Sequence, residues 1–233
     1  METRSSILFI FMISGIFSSQ VIVGKTPLTK PEVIHSLYQL MKDIHELFEA
    51  HGVQYWAYGG TLLGSVRNGG IIPWDDDLDI QVDVKNAHQI KALAPLIKKL
   101  GYSFHPCYLG FQITAEHNAH MDIFLVKREG PYYVFNTKKA QGTFKAADHG
   151  DLQFKPEDIF PLKKYRFGDL EIWGPHNHRG SLDSKYGKKW NSVARLYNHT
   201  FIKNRKRRLK NDDLIFQAAQ PFGPLEDRVA ALT

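Results

Sequence analysis

Residues 55–82, with the sequence YWAYGGTLLGSVRNGGIIPWDDDLDIQV, decide the fold of this chain. Near their end, acids alternate with apolar residues as far as Val82, and this pattern predicts a half-buried strand with Asp77 and Asp79 on its polar face. Residues two apart on a strand point the same way and lie about 7 Å apart, so both carboxylates can converge on one divalent cation. Such a cation would also keep two neighbouring acids ionised. The stretch therefore predicts a metal site.

A solvated acidic turn is the competing interpretation, since most runs of charge are solvated. The four apolar residues before the acids, IIPW at 71–74, favour a metal site instead, because a solvated turn rarely follows such an apolar segment. The acids do not form an EF-hand, because Ile80 stands where that loop requires Gly. The glycines do not form a P-loop, because Ser65 stands where that motif requires Lys. Metal-assisted phosphate chemistry remains the favoured interpretation.

A turn of small residues precedes the acids. Gly59, Gly60 and Thr61 follow a short apolar strand and open a predicted helical turn. Backbone N–H groups at such a turn, free of bulky side chains, favour phosphate binding, and Arg67 adds a bidentate donor. These four residues are therefore the candidate substrate-binding residues. Gly-Gly alone is a weak indication of a phosphate-binding site. A Gly-Gly-Thr turn followed by Asp-Leu-Asp on the next strand is a much stronger one.

The chain resembles the LicD family, which includes bacterial phosphocholine transferases, fukutin and fukutin-related protein, within the wider nucleotidyltransferase superfamily. The resemblance covers most of residues 37–190; its first motif is highly specific, and the later ones support it. The motifs are GGTLLGSVRNGGIIPWDDDLDI (59–80), HMDIF (120–124), FPL (160–162) and KYG (185–187) with Trp190. The long gap between Gly60 and Asp77 departs from the superfamily's general pattern, but LicD-like proteins share it.

This resemblance implies an α+β fold, a single domain in which helices flank a nucleotidyltransferase-like mixed β-sheet. In that superfamily a third carboxylate comes from a neighbouring strand, and Asp122 is the best match because it lies in the apolar run 121–126. A buried carboxylate must be paired or metal-bound, since burying it alone is costly. A strand-end acid facing water is the alternative. Asp77, Asp79 and Asp122 are thus the candidate catalytic and metal-binding residues, with Mg²⁺ or Mn²⁺ as the implied cofactor.

The resemblance also implies a substrate class. A phosphocholine- or ribitol-phosphate-like group would pass from a CDP-linked donor to the hydroxyl of a glycan or glycoconjugate acceptor, releasing CMP. Asp122 would act as metal ligand or general base, and His120 would support the metal or the substrate phosphate. Nucleotidyl transfer from a nucleoside triphosphate and a catalytically silent glycan- or lipid-binding protein are the alternatives.

Composition predicts one globular domain. The chain has 233 residues, of which 43% are apolar and 23% charged, enough for a sizeable core. A single cysteine, Cys107, excludes an intrachain disulfide framework. We expect a leader at residues 1–24, a LicD-like transferase domain at 25–200 and a basic segment at 201–233.

The leader is predicted from an apolar run at residues 7–23, preceded by Arg4. It is typical of a signal peptide or short signal anchor, with a buried N-terminal helix as the alternative. Such a leader predicts entry into the secretory pathway. The chain would lie in the lumen of the ER or Golgi and be either membrane-anchored or secreted. Asn198-His199-Thr200 is a glycosylation sequon that would matter only in that pathway.

Other elements follow from periodicity and from Gly and Pro positions. An amphipathic helix is predicted from Thr29 to Gly52, with Thr29 and Glu32 as a capping box. The remaining predictions are a helix at 86–100, strands at 102–104, 111–114, 121–126 and 132–135, a hairpin at 165–173, a helix at 182–186 and an amphipathic segment from Trp190.

Residues 203–210 carry six positive charges, which equals the formal net charge of +6. A solvated helix face is the default interpretation of this run, and contact with an anionic membrane, an acidic glycan or a nucleotide phosphate is the alternative. Nucleic-acid binding is not expected, because it would need a broader basic patch with base-stacking residues.

Overall fold

The computed structural model describes residues 28–146, 153–199 and 202–208. Within these ranges the helices are α1 (Pro31–Ala50), α2 (Gly59–Arg67), α3 (Ala87–Ala92), α4 (Ala94–Lys99), α5 (Lys138–Ala146), α6 (Pro156–Ile159) and α7 (His178–Tyr186). The strands are β1 (Trp56–Ala57), β2 (Asp77–Asp83), β3 (Ser103–Pro106), β4 (Gly110–Thr114), β5 (His120–Glu129), β6 (Tyr132–Phe135), β7 (Gln153–Phe154), β8 (Lys163–Phe167), β9 (Leu170–Gly174), β10 (Val193–Asn198) and β11 (Ile202–Arg208).

A mixed sheet forms the centre of the fold. Its strands lie in the order β1-β2-β5-β4-β3, with β6 on the far half of β5 and β7 beside β6. The strands β2 and β5 run parallel, and the other neighbouring pairs of this sheet are antiparallel. Helix α1 packs against β2 and β5. This arrangement confirms the predicted α+β class, with helices flanking one mixed sheet in a single domain.

Helix α1 supplies much of the core behind the sheet. Its buried stripe comprises Leu37, Leu40, Met41, Ile44, Leu47 and Phe48, none more than 3% exposed. Burying each such side chain contributes about 1.5–3 kcal/mol.

The predicted capping box at the start of this helix is wrong. Helix α1 begins at Pro31, with Lys30 as its N-cap and no capping side chain. Thr29 is instead buried, and its backbone N–H donates to Pro73 O at 2.9 Å. A cap contributes only about 1 kcal/mol, less than the packing that positions this helix, and Pro suits the first helical turn.

The helix predicted at residues 86–100 is interrupted. A 3₁₀ turn at Val84–Asn86 leads into α3, and α4 starts a new helix after Leu93. Pro95 lies in the first turn of α4. Its missing N–H cannot continue the hydrogen bonds of α3 but costs nothing at a helix start.

In the described part of the chain, two hairpins lie outside the central sheet. The predicted hairpin at residues 165–173 is confirmed as β8 and β9, joined at Gly168 with φ of +71°. The other hairpin pairs β10 with β11. The basic run therefore lies partly on a strand, and the interpretation as a helix face is wrong for residues 203–208. The segment after Trp190 likewise enters β10, because the period-two burial of Ala194, Leu196 and Asn198 suits a strand.

Asn198 fastens β10 to the loop that carries the acids. Its side-chain amide donates to Trp74 O at 2.8 Å and to Thr29 Oγ1 at 3.3 Å, and the residue is 3% exposed. In return, Trp74 Nε1 donates to Arg195 O at 3.0 Å. A side chain buried in this way is inaccessible to glycosylation in the folded chain, so the structure argues against the sequon hypothesis.

We expect Asn198→Ala to lower the free energy of unfolding by about 1–3 kcal/mol, because it leaves the buried Trp74 carbonyl without this donor. Thermal or urea unfolding of the purified chain measures the change. Asn191→Ala, on the exposed turn before β10, is the matched control. A loss no larger than that of the control would contradict the role of Asn198 as a fastener.

The predicted leader and the end of the basic segment lie outside the described residues. Among the helices of residues 28–208 that the structure describes, none is both long and apolar enough to cross a membrane.

Candidate active site

The parallel pairing of β2 with β5 brings the predicted acids together. In its register Asp79 lies beside Asp122 and Asp77 lies beside His120. Side chains at paired positions of neighbouring strands project from the same face of a sheet. The sequence-based proposal that Asp122 joins Asp77 and Asp79 from a neighbouring strand thus agrees with the register, and it adds His120 to the same face.

The Gly-Gly-Thr turn meets this acidic face directly. The backbone N–H of Gly60 donates to Asp79 Oδ2 at 3.2 Å, and the Asp79 N–H donates to Thr61 Oγ1 at 2.8 Å. The start of α2, where the helix dipole is positive, therefore faces a carboxylate of the protein itself. Thr61 is 3% exposed and holds β2 in place.

Glycine is required in this turn because the carboxylates approach so closely. A Cβ on Gly59 would lie 2.1 Å from Asp79 Oδ2, and a Cβ on Gly60 would lie 2.3 Å from Asp75 Oδ2. Gly59 also has a φ of +53°, a region that side chains other than that of glycine disfavour. The two glycines thus make room for the acids.

A cavity of about 440 Å³ opens over the acidic face. Two tyrosines that line it, Tyr108 and Tyr197, are 38% and 46% exposed. The charged residues and histidine in its wall are Asp75, Asp77, Asp79, Asp122, Lys185, Arg195 and His199. The cavity therefore joins a group of carboxylates to cations that suit an anionic substrate.

Arg67, a candidate substrate-binding residue, does not line this cavity. Its Nη1 donates to Trp190 O at 3.3 Å and its Nε to Asn68 Oδ1 at 3.1 Å, so it ties α2 to the segment before β10. Lys185 and Arg195 occupy the cavity wall instead. Lys185 belongs to the KYG motif, but the sequence alone did not indicate that it lines the cavity. No sequence pattern indicated Arg195.

Lys185 comes from the last turn of α7. Its Nζ lies 4.0 Å from the centroid of the Tyr58 ring, a geometry that stabilises a cation over an aromatic face. Helix α7 ends at Tyr186, and Gly187 with φ of +76° turns the chain away. The ammonium group is thereby held near the acids.

Burial and mutual repulsion keep the carboxylates from ionising easily. Burial, and then the charge of Asp79, raises the pKa of Asp77 to about 6. Burial followed by the charges of Asp77 and Asp79 raises the pKa of Asp75 well above its usual value. Burial also raises the pKa of Asp79, and Lys185 opposes that rise. Such a cluster needs an added positive charge to hold all its acids ionised.

Asp122 lies on β5, beside Asp79 of β2. Burial raises its pKa, and the hydrogen bond from Gln112 opposes that rise. Gln112 Nε2 donates to Asp122 Oδ1 at 2.9 Å from the neighbouring strand β4. This bond fixes one carboxylate oxygen and leaves the other available.

His199, which no sequence pattern had indicated, follows β10 and reaches the acids. Its Nδ1 donates to Asp76 Oδ1 at 3.1 Å and lies 3.7 Å from Asp77 Oδ2. The hydrogen bond to Asp76 raises the pKa of His199 to about 9, although burial opposes this rise.

Among the residues that the structure describes, two groups of possible metal ligands lie at the site. One comprises Asp75, Asp76 and Asp77, and the other Asp77, His120 and His199; within each group the ligand atoms lie within 4.8 Å of one another. The all-carboxylate group suits Mg²⁺ or Mn²⁺, and neither group includes Asp79 or Asp122. The structure thus contains a possible acidic metal site centred on Asp77.

Comparison with known proteins identifies the family. Residues 52–177 match the family described as LicD/FKTN/FKRP, nucleotidyltransferase domain. The chain belongs to this family. The match includes β2, β5 and the Gly-Gly-Thr turn, whereas α7, β10 and His199 lie outside it.

Three relatives of the LicD-family chain illustrate its range. An uncharacterized protein of Rickettsia prowazekii (strain Madrid E) is 37% identical over 204 residues, which cover 83% of this chain and 72% of that protein. Ribitol 5-phosphate transferase FKRP of Mus musculus is 30% identical, covering 68% of this chain and 33% of the transferase. Lipopolysaccharide cholinephosphotransferase LicD of Haemophilus influenzae is 50% identical over 36 residues, covering 16% of this chain and 14% of that enzyme.

Proposed function

We propose that this chain is a metal-dependent transferase that moves a phospho-alcohol group from a CDP-linked donor to a glycan hydroxyl and releases CMP. The observation that carries the proposal is the convergence of Asp77, Asp79 and Asp122 beside Lys185 in one cavity. Family membership supports it, since relatives named for their activity transfer ribitol 5-phosphate or phosphocholine. The transferred group would be of one of these two types.

The acidic site fits the divalent cation that this chemistry uses. Its buried carboxylates have raised pKa values because their charges lack compensation. Asp77 and Asp79 would hold Mg²⁺ or Mn²⁺, with Asp122 as the third candidate ligand. The bound ion would offset the negative charge that develops on the transferred phosphoryl group.

The protein's own side chains would share the remaining work. Lys185 and Arg195 line the cavity and would bind the oxygens of the donor diphosphate. Where Asp122 does not ligate the ion, it would accept the proton of the attacking hydroxyl, since its raised pKa makes it a stronger base than an ordinary aspartate. Gln112 would hold Asp122 in the orientation for that transfer.

The apolar run at residues 7–23 extends the proposal to location. A leader there would place the transferase in the secretory pathway, secreted or membrane-anchored, where it would meet a glycan acceptor. This part of the proposal is separate from the chemistry of the cavity.

Titration of the full chain with CDP, with and without Mn²⁺, tests the proposed donor. We expect binding that requires the metal and is lost in an Asp77→Asn/Asp79→Asn double variant. Incubation with CDP-ribitol or CDP-choline and an acceptor glycan should then release CMP. Release of pyrophosphate from a nucleoside triphosphate would instead indicate nucleotidyl transfer. Absence of nucleotide binding in the wild-type chain would favour the silent binding protein.

A further inference from the structure

His120 begins β5 beside the first acid of β2, in register with Asp77. Its Nδ1 lies 3.2 Å from Asn118 O. A carbonyl oxygen only accepts hydrogen bonds, so Nδ1 carries a proton and Nε2 is the nitrogen that can bind a metal. This is the tautomer that a metal-binding histidine uses, with its other nitrogen donating to a backbone carbonyl.

His199 reaches the same place from the β10–β11 hairpin. Its backbone N–H and its Nδ1 both lie 3.1 Å from Asp76 Oδ1. Asp76 is 7% exposed. The residue before His199, Asn198, is tied to the acid-bearing loop by its hydrogen bond to Trp74 O. The carboxylate thus orients the imidazole, as carboxylates orient histidine ligands in metal sites.

The three side chains are close enough to share one ion. The ligand atoms of Asp77, His120 and His199 lie within 4.8 Å of one another, and the two imidazole centroids are 5.4 Å apart. Metal–ligand bonds of about 2.0–2.2 Å separate the ligands of one ion by roughly 3–4.4 Å. Small side-chain movements, with release of the Nε2 proton of His199 as the ion binds, would bring all three into coordination.

We propose that the cation site of this chain includes imidazole nitrogens from His120 and His199 beside the Asp77 carboxylate, and that it therefore prefers Mn²⁺ to Mg²⁺. Mn²⁺ shares the preference of Mg²⁺ for carboxylates, but as a transition-metal ion it also accepts imidazole nitrogen, though more weakly than later metals of its row, whereas Mg²⁺ takes oxygen ligands almost exclusively. The inference rests on the metal dependence in the proposed function and goes beyond it. His199 lies outside residues 52–177, so the hairpin adds a ligand that the matched family region does not contain.

Pulsed electron paramagnetic resonance of Mn²⁺ bound to the full 233-residue chain tests this directly. We expect electron spin echo modulation from directly bound ¹⁴N, weakened in His120→Gln and in His199→Gln. Either substitution should lower Mn²⁺ affinity on the order of 10- to 100-fold and change Mg²⁺ affinity much less. His88→Gln, an exposed histidine outside the cavity, is the matched control and should change neither.

The wild-type spectrum shows whether nitrogen binds the ion even if a variant folds poorly. Bound Mn²⁺ without ¹⁴N modulation would overturn the nitrogen ligands, leaving His199 as a counter-charge to the acids and the proposed function intact. Equal losses of Mn²⁺ and Mg²⁺ affinity in both variants would also overturn the preference. No binding of Mn²⁺ or Mg²⁺ by the wild-type chain would count against the metal-dependent function as well.

Discussion

Replacing Asp77 or Asp79 with Asn is expected to reduce phospho-alcohol transfer by at least about 10²–10³-fold, because the site loses part of the charge that holds its cation. The same change should not unfold the protein. Burial and mutual repulsion raise the pKa values of both carboxylates, so removing one charge relieves repulsion in the metal-free chain. We therefore expect a melting temperature in chelator at least equal to that of the wild type.

Asp83→Asn is the matched control for this prediction. Asp83 closes the same strand, but it accepts hydrogen bonds from Tyr133 Oη and from the Lys85 N–H rather than lining the cavity. Chromatography of released CMP and thermal unfolding with and without Mn²⁺ measure both effects. Wild-type turnover by Asp79→Asn would refute the assigned role. If the metal-free variant were much less stable than the metal-free wild type, the charges of Asp77 and Asp79 would not repel each other as their raised pKa values indicate.

The acidic strand could be predicted because its information is local. Period-two alternation in β2 sets which side chains share a face, and burial follows it from Asp77 to Ile80, although Gln81 on the acidic face is buried too. Asp122 could be placed for a similar reason, since an acid within an apolar run needs a partner. The family resemblance then supplied the neighbour relation between the two strands.

Other parts of the site depend on contacts between distant segments. Arg67 looked suited to phosphate, but its guanidinium is held by Trp190 O, 123 residues further along the chain. His199 reaches Asp76 across the same separation of 123 residues. Periodicity carries no information about such contacts, because they depend on how the hairpin docks on the loop. The failed cap at Thr29 has the same origin: tertiary hydrogen bonds outweighed a local motif.

The glycines of the turn lead to a second large effect. Gly59→Ala is expected to lower Mn²⁺ affinity on the order of 10- to 100-fold and to destabilise the chain by more than the cost of its backbone conformation. The positive φ alone costs about 1–2 kcal/mol for alanine. In addition, the new Cβ would lie 2.1 Å from Asp79 Oδ2, so the carboxylate must move from its hydrogen bond with the Gly60 N–H.

Gly52→Ala separates these two costs. Gly52 has a similar φ of +66°, but nothing lies within 4 Å of an added Cβ there. Its substitution therefore measures the backbone cost alone and should leave Mn²⁺ affinity unchanged. If Gly59→Ala lost no more stability than Gly52→Ala and bound Mn²⁺ as the wild type does, the turn would have room for a side chain. In that case the need for glycine would be purely conformational, and close approach to Asp79 would have no part in building the metal site.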